Sequence, residues 1–202
     1  MVARAPDRTG ALATARRPVP RLAGVIGRLE TSPAADRPDL LAPPVADAVA
    51  RWTGPPLHVA PIDAAVADTA AFCAAYDVPL EASANCVVVS GRRGEAVRTA
   101  ACVVLATTRA DVNGLVKRHL DVRKASFLPQ DDAVGRTGME FGGITPFGLP
   151  EDWPVLVHAA VLAAPLVVVG SGLRRSKLVV PGSALGDLAA AQVLEGLGLP
   201  PR

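Results

Sequence analysis

Two runs of β-branched and small apolar residues lie close together in the middle of the chain. Residues 84–90 are ANCVVVS, residues 98–108 are RTAACVVLATT, and the segment GRRGEAV joins them. Two such runs with a glycine turn between them are typical of a β-hairpin. The segments on either side of the hairpin supply further predicted strands and helices.

Candidates for these further elements flank the hairpin on both sides. Helices are predicted over residues 40–52 and 63–76, the second with Asp63 as N-cap, and over VNGLVKRHL after an N-cap at Asp111. Because strands occur in runs and helices lie mainly towards the ends, we predict an α+β fold with a mixed sheet. The remaining predicted strands are VPLEASANC, KASFL, WPVLVHAAVL (with residues 155–162), PLVVVG and SKLVV, and the remaining helical segments are PQDDAVGRTG and residues 183–191.

Length and composition limit the class of protein. With 202 residues, half of them hydrophobic, and a mean hydropathy of +0.31, the chain can form one domain with a sizeable core. A formal net charge of +2 does not suggest a general polyanion binder, so any nucleic-acid contact has to be local. The longest apolar stretch, residues 155–169, is too short to cross a bilayer.

The cysteines and the N-terminus bear on the compartment. Cys73, Cys86 and Cys102 show no CxxC spacing, which argues against a disulfide scaffold and against a zinc site. The N-terminus contains arginines but no apolar signal-peptide core. We therefore expect a cytoplasmic protein.

The N-terminal residues differ in composition from the rest. Residues 1–21 contain five arginines and one acid, and three prolines interrupt any periodicity. This pattern predicts a basic, flexible leader over residues 1–35 and a folded domain over residues 36–202. The leader is interpreted as a solvated tail, with contact to RNA as the alternative.

An unusual loop, TGMEFGGITPFGLP, occupies residues 137–150. Glycine allows another molecule to approach the backbone closely, and proline keeps its neighbour extended. The loop could thus line a pocket that binds a carbonyl or carboxyl group through main-chain N–H groups. The alternative is a rigid connection whose apolar residues fill the core. The apolar side chains in question are Met139, Phe141, Ile144 and Phe147.

A second glycine cluster follows a predicted strand in PLVVVGSGLRRSKL. Gly170 and Gly172 are followed by Arg174, Arg175 and Lys177, but neither a Walker A loop nor a GxGxxG motif is present. A flexible turn with three cations suits a phosphate or a ribose-phosphate end, and a solvated basic turn is the alternative.

Taken together, the hairpin, the TG…GGITPFG loop and the VVVGSGLRRSKL turn resemble the YbaK/ProX-like family of aminoacyl-tRNA editing domains over about residues 63–188. The family pattern is a TG-x-x-x-GG-[VI]-x-P-x-G loop followed by a G-x-G…K turn. The resemblance implies a compact α+β domain in which a curved mixed sheet, flanked by helices, surrounds a pocket. It also implies removal of a wrong amino acid from the 3′ end of a tRNA without metal or cofactor, assisted by the substrate's own ribose hydroxyl or thiol.

The resemblance assigns roles to residues that match the family motifs. Gly142, Gly143 and Pro146 would form a catalytic clamp around the aminoacyl group, with main-chain donors stabilising a developing oxyanion. Thr137 and Gly138 would shape the entry to the loop. The other substrate-binding residues would be Ile144, Phe147, Gly170, Gly172, Arg174, Arg175 and Lys177.

One position departs from the family pattern. Family members usually carry a lysine on the first hairpin strand, in a context like A-K-[ST]-L-V, whereas Asn85 stands at that place in ANCVV. An asparagine side chain offers a donor and an acceptor but no charge. Asn85 is therefore a candidate catalytic residue, and two functions remain open beside the less favoured alternative of an unrelated small-molecule hydrolase. One is a stand-alone trans-editing deacylase, and the other is a binding module of the same fold that recognises a tRNA end or an amino-acid-like ligand without turnover.

Other reactive side chains are interpreted more simply. Cys86 is predicted to be a small core residue rather than a nucleophile, and strand alternation should separate it from Asn85. His158 is predicted to be a histidine satisfied by hydrogen bonds, or one at a sheet edge, rather than a base. Glu140 and Asp152 flank the glycine loop, where either could orient a water molecule or an amino group.

Overall fold

The computed structural model describes residues 26–201, so most of the predicted leader lies outside the described residues. Residues 26–35 of that predicted leader belong to the fold, because β1 pairs with β2 and Ala34 is fully buried. In chain order the strands are β1 (Ser32–Pro33), β2 (His58–Pro61), β3 (Ala84–Arg93), β4 (Ala96–Leu105), β5 (Arg109–Ala110), β6 (Lys124–Phe127), β7 (Val155–His158), β8 (Val167–Gly170), β9 (Ser176–Val180), β10 (Ala191–Leu194) and β11 (Gly198–Leu199).

The predicted hairpin is confirmed as β3 and β4, which pair in antiparallel register from Ala84 opposite Leu105 to Arg93 opposite Ala96. It forms the centre of a five-stranded sheet in the order β10-β7-β4-β3-β6. Because β7 runs parallel to both β4 and β10 while the other pairs are antiparallel, this sheet is mixed, as predicted.

A second, antiparallel sheet has the order β1-β2-β9-β8. It meets the first sheet where Ser83 forms a bridge with Val168, beside the start of β3. The two sheets enclose the largest apolar cluster, to which Val103 and Leu178 contribute fully buried side chains. The predicted α+β fold is therefore confirmed, although two sheets rather than one surround the core. The short strands β5 and β11 form a separate antiparallel pair.

Helices flank the two sheets. They are α1 (Pro43–Ala50), α2 (Thr69–Tyr76), α3 (Lys117–His119), α4 (Gln130–Thr137) and α5 (Ala159–Leu162). Helices α1 and α5 contribute buried side chains to the cluster between the two sheets. Phe72 of α2 is fully buried among residues of the second sheet. Within residues 26–201, no helix combines the length and the apolarity needed to span a bilayer.

The helix predicted over residues 63–76 is divided into two parts. Asp63 caps a short 3-10 turn, Ala64–Val66, by accepting a 2.9 Å hydrogen bond from the Ala65 N–H. Asp68 then adopts an extended conformation and α2 begins at Thr69. The predicted N-cap at Asp111 is confirmed, because its carboxylate accepts from the N–H groups of Gly114 and Leu115.

Two predictions in the C-terminal part were wrong. The strand predicted over residues 155–162 ends at His158, and α5 follows because Ala159 and Ala160 favour a helix. The helix predicted over residues 183–191 is only a 3-10 turn, Gly182–Gly186, bounded by two glycines that disfavour an α-helix. The chain then forms β10, which pairs with the open edge of β7.

Candidate functional site

A cavity of about 470 Å³ lies where the two sheets meet, beneath the loop of residues 137–150. Its wall is formed by the start of α2, the start of β3, the end of β8 and the start of β9. Of the residues predicted for the site, it contains Asn85, Gly142, Ile144, Gly170 and Lys177. The other lining residues are Ala67, Asp68, Thr69, Phe72, Ser83, Ala84, Cys86, Val87, Val88, Phe127, Leu128, Ala133, Phe141, Val168 and Val169.

The two glycine clusters are joined directly to each other. The Gly172 N–H donates to the carbonyl oxygen of Gly143 at 2.8 Å, and the Glu140 N–H donates to the carbonyl oxygen of Gly172 at the same distance. A Cβ atom on Gly170 would collide with the Gly143 carbonyl oxygen, so only glycine allows this approach. The glycine loop therefore has a fixed position over the end of β8.

Within the predicted clamp, the three residues have different environments. The Gly143 N–H already donates to the Glu140 carbonyl oxygen at 2.9 Å, so this donor is not free for a substrate. Pro146 is buried and does not line the cavity. Gly142 does line it, with a φ of 83° that favours glycine, and its N–H has no partner within the described residues. Of the three predicted clamp residues, Gly142 is therefore the one that lines the cavity and has a main-chain N–H not engaged by the described chain.

Asn85 is held by a side chain that the sequence analysis did not consider. The Thr69 hydroxyl donates to Asn85 Oδ1 at 2.6 Å, and both residues line the cavity. Because the bond occupies the amide oxygen, the Asn85 NH₂ group remains available as a donor. Asn85 therefore offers a neutral, oriented donor at the place where the family pattern has a lysine.

Lys177 supplies a cation to the same cavity. Its side chain is only 7% exposed, its Nζ donates to the Ala67 carbonyl oxygen at 2.9 Å, and the ammonium lies 5.3 Å from the centre of the Phe72 ring. Burial lowers the pKa of Lys177, the nearby Arg174 lowers it further, and Asp68 opposes the shift. Because an ammonium has three hydrogens, two remain for a ligand after the bond to Ala67.

The two arginines of the basic turn have separate partners. Arg174 Nη1 lies 3.5 Å from an Asp68 carboxylate oxygen and donates to the Phe141 carbonyl oxygen, so Arg174 connects the glycine loop to the start of α2. Arg175 donates to the Asp39 carbonyl oxygen at 2.7 Å and does not line the cavity. Arg174 therefore stabilises the edge of the cavity through its contacts with two segments, whereas Arg175 lies outside the cavity.

Four further predicted substrate-binding residues do not line the cavity. Thr137 ends α4 with its hydroxyl donating to the Ala133 carbonyl oxygen, and Gly138 follows in the left-handed conformation, so both shape the start of the loop. The Phe147 ring packs edge-on against Trp52 in the core at 5.6 Å between ring centres. Gly172 packs against α1.

The other reactive side chains are placed as follows. Asn85 and Cys86 both line the cavity, contrary to the prediction, because the cavity extends along residues 84–88. Their cross-strand partners, Val104 and Val103, pack in different apolar clusters, so the two residues still alternate between the faces of β3. Burial raises the pKa of the Cys86 thiol well above its ordinary value, which disfavours the nucleophilic thiolate. His158 lies outside the cavity at the end of β7. The Glu140 carboxylate accepts from the Arg174 N–H at 2.6 Å, which leaves it a structural role in the loop.

Several lining residues were not predicted, chiefly Thr69, Phe72 and Phe127. Thr69 is 16 residues from Asn85 in the chain, and no motif connects the two. The only signal available was the N-cap position of Asp68, which places Thr69 at the first turn of α2. Within residues 26–201, no group of three or more His, Cys, Asp or Glu side chains is arranged to hold a metal ion.

Comparisons with solved structures support the same fold. A protein described as a candidate trans-editing enzyme for prolyl tRNA synthetase has a TM-score of 0.61 at 20% identity, and the match covers 81% of this chain and 96% of that one. A scaffold protein used for computational grafting of linear epitopes has a TM-score of 0.65 at 22% identity, covering 76% of this chain and 95% of that one. No curated protein sequence matches significantly.

Sequence comparison with family models agrees with this result. The model of the aminoacyl-tRNA editing domain matches residues 63–188, which is more than half of the chain. The matched segment begins at the cap of the 3-10 turn before α2 and includes both glycine clusters, so it contains the elements that build the cavity. The chain belongs to the aminoacyl-tRNA editing domain family.

Proposed function

We propose that the protein is a stand-alone trans-editing deacylase, which hydrolyses the ester between a wrongly attached amino acid and the 3′ end of a tRNA. The single observation that carries this proposal is the joint presence of Asn85, Gly142 and Lys177 in one cavity under the glycine loop. They offer a neutral donor, a main-chain donor and a cation to a ligand of mixed polar and apolar character. An aminoacyl ester on a terminal ribose is such a ligand.

Lys177 keeps a cation in the cavity although position 85 is neutral. The family pattern has two lysines, one on the first hairpin strand and one after the second glycine cluster; this chain has Asn85 at the first place and keeps the second as the buried Lys177 on β9. Hydrogen bonds from a charged donor are stronger than neutral ones, particularly away from water. The departure at Asn85 therefore leaves one of the two cations in the site.

Hydrolysis in this cavity requires no covalent bond to the protein. Water adds to the ester carbonyl carbon, and the bond from that carbon to the ribose oxygen breaks; the products are the free amino acid and a tRNA with a free ribose hydroxyl. We assign the stabilisation of the negative charge that develops on the carbonyl oxygen to the Gly142 N–H and the Lys177 ammonium, because both residues line the cavity. They do so without moving, since both are held by the fold.

We assign the group that accepts a proton from the attacking water to the substrate rather than to the protein. Among the cavity-lining residues of the described chain there is no histidine, and the carboxylate present, that of Asp68, is engaged by Arg174. The Cys86 thiol stays protonated. These features favour substrate-assisted hydrolysis, in which the neighbouring ribose hydroxyl or a substrate thiol helps to orient the water and takes part in proton transfer.

A second candidate is a binding module of the same fold that holds a tRNA end or an amino-acid-like ligand without turnover. The observation that favours it is the neutral Asn85, fixed by Thr69, in place of the family lysine. The two candidates differ in what happens to a bound ester. A deacylase shortens the lifetime of the ester, whereas a binding module that encloses it leaves the lifetime unchanged or lengthens it.

The test is a panel of tRNAs, each carrying a wrong amino acid, incubated with purified protein and with buffer alone. We expect at least one ester to be hydrolysed faster than in buffer, and we expect Lys177→Met to lose most of that acceleration. Lys117→Met is the matched control, because Lys117 lies on α3 and does not line the cavity. Tight tRNA binding with no acceleration for any amino acid would instead support the binding module.

A further inference from the structure

A second groove, of about 580 Å³, adjoins the cavity. The two share the lining residues Phe127 and Leu128, at the end of β6, so a ligand can extend continuously from one into the other. The groove runs over β3 and β6 towards α4, and no sequence motif pointed to it. Its position makes it a route to the glycine loop for a ligand larger than an amino acid.

The groove carries an excess of positive charge. Arg92 on β3 lies directly opposite Lys124 on β6 in the antiparallel register, and both are exposed. Like charges in such a cross-strand pair repel each other. Within residues 26–201 neither forms a salt bridge, and the acid that lines the groove is Asp132. An anionic ligand would relieve this repulsion.

A third cation is fixed in the same groove. The Arg136 guanidinium lies 4.6 Å from the centre of the Trp153 ring and donates to the Thr99 hydroxyl at 3.2 Å. Stacking on an aromatic ring limits the motion of a guanidinium while leaving some of its five N–H donors unoccupied. Arg136 is therefore preorganised to contact a phosphate group.

Phe127 stands at the junction of the groove and the cavity. Phe127 is a large apolar residue that is 61% exposed, although Ala125, two residues earlier in the same strand, is buried. Exposed aromatic rings next to cations are the elements with which proteins bind unpaired nucleotides, because a base stacks on the ring while the phosphates contact the cations. An acidic peptide or an anionic lipid would use the cations but would not require such a ring.

We propose that this groove binds the unpaired 3′ strand of the tRNA, with phosphates on Arg92, Lys124 and Arg136 and a base stacked on Phe127. The terminal ribose and its ester then enter the cavity beneath the glycine loop. This inference rests on the proposed function, since it takes the ligand of the cavity to be an aminoacyl-tRNA end. The net charge of the whole chain is small, so the attraction for tRNA is concentrated in this groove.

The experiment measures binding of two fluorescent RNA hairpins that share an acceptor-stem sequence, one with an unpaired 3′ end and one blunt. The variants are Arg92→Ala with Lys124→Ala, and Phe127→Ala. The matched control is Arg51→Ala with Arg118→Ala, which removes the same charge from exposed positions outside the groove and the cavity.

The wild-type chain is expected to prefer the hairpin with the unpaired end. Removal of Arg92 and Lys124 should reduce the slope of log affinity against log salt by about 1.4, which is roughly 0.7 for each phosphate contact on a single strand. Phe127→Ala should weaken binding of the unpaired end about 5- to 150-fold, the loss expected for one stacked base. The control should bind like the wild type.

Two results would overturn the groove assignment. One is equal affinity of the wild type and of every variant for both hairpins. The other concerns parallel binding measurements with anionic vesicles and with an acidic peptide: the groove variants would lose binding to one of these while their RNA binding stays unchanged. If the wild-type chain deacylates tRNA and the groove variants keep their KM, the groove assignment fails and the proposed function stands. If the groove variants lose RNA binding but the wild-type chain has no deacylase activity, the groove assignment stands and the proposed function fails.

Discussion

The Thr69 hydroxyl donates a 2.6 Å hydrogen bond to Asn85 Oδ1, which connects the first residue of α2 to the second residue of β3 across the cavity wall. The bond occupies the acceptor of the amide and leaves its NH₂ group for a ligand. An uncharged residue at this position is thereby given a fixed orientation. The role proposed for Asn85 can be tested through both partners of this bond.

Asn85→Ala should lower kcat/KM for deacylation about 5- to 150-fold, because the partner groups are left unpaired at a cost of about 1–3 kcal/mol. Thr69→Val, which removes the hydroxyl with little change in shape, should lower it about two- to tenfold by releasing the Asn85 amide. Single-turnover deacylation of mischarged tRNA measures both effects. If both variants hydrolyse the ester at the wild-type rate, the Thr69–Asn85 pair has no role in deacylation.

Asn85→Lys places a second cation beside Lys177. It restores the lysine of the family pattern, so turnover should be kept or increased if the family geometry persists in this chain. Under the binding-module alternative, the variant changes affinity for tRNA without producing hydrolysis. Parallel measurements of affinity and of ester lifetime separate these outcomes, and a variant with neither change would exclude position 85 from the site.

Lys177→Met should lower kcat/KM for deacylation about 10- to 150-fold, the range expected for a hydrogen bond of about 1.5–3 kcal/mol to a charged group. Methionine retains the length of the apolar stem and its contact with Phe72. Lys117→Met, on α3 outside the cavity, is the control for loss of one lysine. Equal rates for the wild type and both variants would show that Lys177 serves only the packing of β9.

The burial of Lys177 also predicts a pH dependence of stability. Its pKa is lowered in the folded protein, mainly by burial, so the unfolded chain binds the proton more strongly. The free energy of unfolding of the wild type, relative to Lys177→Met, should therefore rise as the pH increases from the lowered pKa towards the ordinary lysine value of about 10.4. Urea unfolding of the two proteins across this range measures the difference. A difference that stays constant with pH would contradict the lowered pKa.

The contact between the two glycine clusters predicts that neither cluster tolerates a side chain. Gly170→Ala would place a Cβ against the Gly143 and Ile144 carbonyl oxygens, and Gly143→Val would press against the Leu173 backbone. Both variants should lower Tm and separate the loops, so any loss of activity comes with a loss of stability. Gly135→Ala on α4, where a Cβ meets nothing within 4 Å, is the control and should keep or raise Tm. An unchanged Tm in Gly170→Ala would contradict the packing.

The sequence predicted the hairpin, the α+β class and the caps at Asp63 and Asp111, because these depend on local propensity and on short-range hydrogen bonds. It did not predict that residues 191–194 form a strand, because β10 exists through its pairing with β7, which is distant in the chain. The strand predicted beyond His158 failed for a related reason: alternation in a short apolar run does not distinguish a strand from a strand followed by a helical turn.

The site was predictable only where a residue belongs to a motif. Gly142 and Gly170 belong to family motifs and Lys177 follows in the second motif, so the sequence could group the three residues that the structure brings together at the cavity. Thr69 has no motif, and Phe127 is an aromatic residue in a short strand, so their positions depend on how the two sheets meet. The sequence could not show whether Pro146 and Phe147 are buried in the core or line the pocket, because an apolar side chain suits either position.

The most direct test of the central claim is the rate of ester hydrolysis for a full panel of mischarged tRNAs, measured with the wild-type chain and with Lys177→Met. The account predicts that the wild-type chain accelerates hydrolysis of at least one mischarged tRNA above the rate in buffer, and that Lys177→Met loses most of this acceleration while remaining folded. A wild-type chain that binds tRNA yet accelerates no ester in the panel would contradict the proposed deacylase activity.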